Sequence, residues 1–112
     1  MQCALFQWAE VATQSIPELE FMYANTNGGK RDIGTAVKLK KEGQKPGVPD
    51  IFLPVPKGGY HGLYIELKVG TNKPTKKQQK YLRFLAEQGY CTYVARDDWR
   101  EPARVIMEYL QQ

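Results

Sequence analysis

Two short apolar runs, DIFLPV at residues 50–55 and GLYIELKV at residues 62–69, are separated only by the turn-forming string PKGGYH. No other feature constrains the fold as much. Strand-like runs joined by a turn rich in Pro and Gly read as an antiparallel hairpin. With the turn centred near Gly58, residues pair when their numbers sum to about 116, which sets Asp50 opposite Glu66. Side chains alternate along a strand, so Tyr64, Glu66 and Lys68 share one face while Leu63, Ile65, Leu67 and Val69 share the other. The second set is expected to be core. Pro54 and Pro56 cannot donate to a ladder, so the end of the first run belongs at an edge or in the turn.

The other elements fall around this hairpin. Leu5, Phe6, Trp8, Ala9 and Ala12 have helical spacing within residues 3–14, ended by Ser15, Ile16 and Pro17. Residues 19–24 suggest a short extended segment, and residues 25–32, NTNGGKRD, have turn chemistry. Residues 35–42 read as a short helix with Ala36, Val37 and Leu39 inward and Gly43 as its stop. Thr75 followed by Gln78 fits a capping box opening a helix over residues 76–88, with Tyr81, Leu82 and Leu85 buried and Gly89 after its end. Residues 90–95, YCTYVA, have strand bias. Pro102 suits the first turn of a last helix whose stripe is Ala103, Ile106, Met107 and Leu110. The order predicts a mixed α/β fold: a small sheet with helices packed on it.

A chain of 112 residues suits one domain spanning residues 1–112. No stretch approaches the roughly 20 apolar residues of a membrane helix. The start, MQCALFQWAE, lacks the pattern of a signal peptide. Cys3 and Cys91 show no metal spacing and read as small core residues of a reduced, cytoplasmic protein. The net charge of +4 is mild, but the basic residues cluster. Lys30, Arg31, Lys38, Lys40, Lys41 and Lys45 precede the hairpin, and Lys73, Lys76, Lys77 and Lys80 follow it. Such clusters suit a polyanion, or form solvated helix faces. Lys38 and Lys40 point to different faces of their helix, and Arg31 stands in a basic turn able to touch phosphate. Tyr23 and Tyr60 could stack on unpaired bases or serve packing.

Two carboxylates about 5 Å apart repel unless something positive lies between them. Mg²⁺ favours carboxylate and carbonyl oxygens and keeps several waters. Asp50, Glu66 and the backbone carbonyl of Leu67 would make such a site, with Lys68 directed at its water shell. That is equipment for hydrolysing a phosphodiester. The alternative is a half-exposed strand with solvated Glu66 and Lys68 and a turn residue at Asp50. His61, the one histidine, reads as a turn residue or a base, and Trp8 and Trp99 read as packing residues.

Pro49-Asp50, then residues 51–65, then Glu66-Leu67-Lys68 resembles the PD-(D/E)xK nuclease superfamily. The wider run resembles the VRR-NUC domain of the stand-alone phage and bacterial type. It comprises NGGKR at 27–31, AVKLKKEGQKPGVPDIFLP at 36–54, GGYHGLYIELK at 58–68, TKKQQKYL at 75–82 and Gly89-Tyr90. The resemblance implies a restriction-endonuclease-like fold, with an active-site hairpin in a small mixed sheet flanked by helices. It implies DNA cleavage with Mg²⁺ or Mn²⁺, with Asp50 and Glu66 as metal ligands and Lys68 as catalytic lysine. Gln78 matches a family glutamine near the site; the capping box is its competing role. A homodimer acting on branched DNA such as a four-way junction, in a bacterial cell or phage-infected host, is also implied. Lys30, Arg31, Lys38, Lys45, Lys73, Lys76 and Lys77 are the expected DNA contacts. The family pattern places a glutamate just before a glutamine that Gln2 matches; here Met1 stands at that place or the position precedes residue 1, and Glu10 is about two turns further on. A DNA-binding module without turnover is therefore the alternative function.

Overall fold

The computed structural model describes residues 1–25 and 33–112, apart from the side chains of Ile33, Ala36 and Leu39. In chain order it holds α1 (Gln2–Ala12), a 3₁₀ helix (Pro17–Phe21), β1 (Tyr23–Ala24) and α2 (Ile33–Lys41). There follow β2 (Ile51–Leu53), β3 (Leu63–Lys68), α3 (Lys76–Glu87), β4 (Cys91–Arg96) and α4 (Arg100–Leu110). The four strands lie in the order β1-β2-β3-β4. β2 runs antiparallel to both of its neighbours, β1 and β3, and β4 runs parallel to β3. Parallel neighbours need a crossover, which α3 supplies.

The hairpin register is the expected one. Ile51 pairs with Ile65, Phe52 with Tyr64 and Leu53 with Leu63. The connecting turn closes through Lys57 and Tyr60, with Gly58 and Gly59 at positive φ. The strand is shorter than residues 50–55 suggest, because Pro54 and Pro56 offer no N–H beyond Leu53.

Leu63 and Ile65 project to one side of the sheet with Ile51, Leu53 and Ala95. There they meet Leu5 and Ala9 of α1 and Ala103, Val105, Ile106 and Tyr109 of α4. Fully burying each large aliphatic side chain contributes about 1.5–3 kcal/mol. The opposite face carries Tyr64, Glu66 and Lys68. The crossover helix packs on β4, and its Tyr81 influences the Tyr64 hydroxyl.

Several local expectations differ from what is found. Residues 19–24 are a 3₁₀ helix followed by a two-residue strand, since Pro17 presets a helical φ at the start. Val69 is 61% exposed, because β3 ends at Lys68 and Gly70 turns the chain at positive φ. Val37 faces solvent, as does Cys3, which lies on the outer side of α1; Cys91 is half-buried. Tyr81 and Leu82 are half-buried where Leu85 is buried. In α4, Val105 and Tyr109 are buried, while Met107 and Leu110 sit at the margin. The turn at residues 25–32, with Lys30 and Arg31, and the inward side chains of Ala36 and Leu39 fall outside the described residues, except for Asn25. No described helix is long and apolar enough to cross a membrane.

Candidate active site

Asp50 lies one residue before β2, where the pairing of β2 with β3 runs out. In a continued ladder Leu67 would face Pro49, which has no N–H to give. The chain uses side chains there instead. Asp50 Oδ2 accepts the Leu67 N–H at 2.7 Å. Asn25 donates its own N–H to the Asp50 carbonyl at 2.7 Å, and its Nδ2 to the Pro49 carbonyl at 2.8 Å. Asp50 is thereby held from both neighbouring strands.

Glu66 is the neighbour that matters. It is 1% exposed, the one charged residue buried among the described residues. Its Oε2 is buried without a hydrogen-bond partner among the described residues. Burial pushes its carboxyl up to about 8, and Asp50 beside it pushes the same way, while Lys68 pulls it down. A carboxylate in this position must therefore take up a proton or meet a cation. Lys68, two residues along the same face, is half-buried. The reading of Glu66 as a solvated strand residue is excluded by its burial.

The donor set fits a hard divalent cation. Two carboxylates, one with an orphaned oxygen, are what Mg²⁺ ordinarily takes from a protein, with waters and carbonyls completing its shell. No group of three or more His, Cys, Asp or Glu side chains suited to a metal occurs among the described residues. A bound ion would thus rely on Asp50, Glu66, a backbone carbonyl such as that of Leu67, and water.

The first turn of α3 stands close to this site. Gly47, at φ +91°, packs so tightly on it that a Cβ would come within 2.9 Å of the Lys77 carbonyl carbon and oxygen. Only glycine fits there, so the segment leading to Asp50 is wedged against the helix start. Thr75 caps α3, accepting the Gln78 N–H at 3.2 Å, while Gln78 Oε1 accepts the Thr75 N–H at 2.8 Å. The capping role of Gln78 is thus realised. Lys76 and Lys77 add charge to the positive end of the helix and are exposed, as are Lys38, Lys45 and Lys73.

His61 is exposed, its N–H donating to Gly89 O at 2.9 Å and its ring edge-on to Tyr90, so it is a turn residue. Tyr23 and Tyr60 pack edge-on to Phe52 and tilted on Tyr109, respectively. Sequence reasoning missed two positioning residues. One is Asn25. The other is Arg96, whose Nη1 donates to the carbonyls of Gly70 and Asn72 and ties down the loop after β3. Neither carries a local signal, because both act on backbone that is distant in sequence.

The model of the VRR-NUC domain matches residues 2–99. The chain belongs to the VRR-NUC family. A solved structure described as a VRR_NUC domain protein is similar to it, with 31% identity and a TM-score of 0.70 over 83% of this chain and 70% of that one. No curated protein matches the sequence. Family and structure agree on a VRR-NUC fold of nuclease type.

Proposed function

We propose that this VRR-NUC protein is a Mg²⁺- or Mn²⁺-dependent DNA endonuclease selective for branched DNA. The observation that carries the reading is the buried, unpartnered Glu66 oxygen beside Asp50, on the face that also presents Lys68. When bound, the divalent ion would polarise a phosphate oxygen and make a coordinated water more acidic. Asp50 and Glu66 hold it, and the Leu67 N–H keeps the Asp50 carboxylate oriented. Lys68 offsets negative charge building on the phosphate and orders the attacking water; its oxygen adds to phosphorus and its proton passes to solvent as the P–O bond to the departing strand breaks and the leaving oxygen takes a proton from solvent. Lys73, Lys76 and Lys77, with Lys38 and Lys45, hold phosphates along the outer surface. In the same reading Gln78 orders the site from the helix start, and two copies of the chain engage one junction.

The test is a cleavage assay on nicked, flapped and four-way DNA, with Mg²⁺ or Mn²⁺ and with chelator, beside a measurement of mass in solution. Glu66→Gln and Lys68→Ala are each expected to lower the cleavage rate by about 10²-fold or more while circular dichroism is unchanged. Full activity in both would refute the reading. Metal-independent binding without product would favour a DNA-binding module instead, an alternative raised by there being two acids at the site among the described residues.

A further inference from the structure

A groove of about 480 Å³ lies on the outer side of α3, lined by Lys45, Pro46, Lys77, Lys80, Tyr81 and Phe84. Residues 77, 80, 81 and 84 recur at helical spacing, so α3 presents them as one stripe, and Lys45-Pro46 forms the opposing wall. The lining contains three lysines and no acid. Among the described residues, the ion pairs formed are Arg100 with Asp98 and Arg104 with Glu108, so none of these lysines is neutralised by a carboxylate. Phe84 is 54% exposed, although Leu85 beside it reaches the interior. An exposed aromatic flanked by unpaired lysines is poorly explained by packing, and it repeats the arrangement by which single strands are bound: cations for the backbone, a flat ring for the base.

Position reinforces the chemistry. Lys45 lies five positions before Asp50, at most about 18 Å of chain, and Gly47 in between is pressed on Lys77. The groove therefore lies within about 18 Å of Asp50. We infer that this groove is a subsite for an unpaired nucleotide of the DNA, stacking its base on Phe84 against the Tyr81 wall while Lys45, Lys77 and Lys80 hold the adjoining phosphates. The inference rests on DNA being the substrate, and it specifies which part of a branched molecule the protein recognises: the single-stranded stretch at the branch.

The experiment reads binding alone, in chelator, so that it does not depend on cleavage. Fluorescence anisotropy would compare a labelled ten-nucleotide oligo(dT) with a blunt duplex of equal length, for the unaltered protein, Phe84→Ala and Phe84→Trp. Phe84→Ala should weaken oligo(dT) about tenfold and the duplex less than twofold, and Phe84→Trp should restore the loss. Lys80→Gln should reduce the salt dependence of oligo(dT) binding by about one ion. Equal losses for both probes, or no loss for either, would overturn the inference, as would a change in solution mass on Phe84→Ala, which would make the groove an interface between copies. If oligo(dT) binding responds as expected while Glu66→Gln still cleaves, the subsite stands and the proposed catalytic centre falls.

Discussion

The two faces of β3 are built from alternate residues of the same six-residue strand, yet they obey opposite rules. Leu63 and Ile65 enter a closed apolar layer with α1 and α4, where every contact favours the folded state. Glu66, between Ile65 and Leu67, is buried as deeply, with its Oε2 left without a hydrogen-bond partner among the described residues. One face is arranged for stability; the other holds a cost that only a proton or a cation relieves. Such a disparity in one strand marks a place where selection acts on something other than folding.

The comparison breaks most readily at Ile65. Ile65→Ala should destabilise the protein by about 2–5 kcal/mol, measured by urea unfolding in chelator. Its neighbour should behave in the opposite sense: Glu66→Gln, in chelator at pH 9, is expected to be at least as stable as the unaltered chain, because it removes a buried charge. A large loss in Glu66→Gln under those conditions would mean that Glu66 serves the packing, and the contrast between the faces would fail.

A pH series sharpens the same contrast. The Glu66 carboxyl is raised from 4.5 to about 8, first by burial and then by Asp50. Between those values the folded chain keeps a proton that the unfolded chain has lost, so stability must fall as pH rises. The contribution is fully present below 4.5 and is gone once pH passes about 8. Unfolding in chelator at steps from pH 4.5 to 9 should show this decline, on the order of a few kcal/mol, and Glu66→Gln should lack it. Adding Mg²⁺ at pH 8 should restore stability to the unaltered chain and leave Glu66→Gln unmoved. Parallel pH profiles for the two proteins would remove Glu66 as the responsible group.

The same division explains what could be read from sequence. The hairpin was legible because turn chemistry and two-residue alternation are local, and with the register came the meeting of Asp50 and Glu66. The capping box at Thr75 and Gln78 was legible because its parts are three residues apart. What escaped was set by contacts between distant segments. Alternation alone put Val69 inward, but where a strand stops depends on its neighbours. The exposure of Cys3 and Val37 depends on which side of a helix finds a partner. The full burial of Glu66 is a tertiary outcome that no spacing within the hairpin encodes.

Asn25 offers the finest test, because it lies on neither face of β3 yet holds the backbone at Pro49 and Asp50. It extends the pairing of β1 with β2 by one residue and sends its side chain to Pro49, so it sets where the chain leaves the ladder. Asn25→Ala keeps the backbone bond to Asp50 and loses the one to Pro49, leaving a part-buried carbonyl unpaired. The expected cost is about 1 kcal/mol, small beside that of Ile65→Ala. Its effect on the site should be out of proportion to that cost. If Asp50 is positioned through Pro49, the Mg²⁺ concentration giving half-maximal cleavage should rise several-fold while the limiting rate at saturating metal changes little. Asn25→Asp, which cannot donate from its ionised side chain, should repeat the defect. A variant that lost its stability increment but kept its metal dependence would make Asn25 a part of the scaffold alone, with Asp50 oriented by the Leu67 N–H and the strand register.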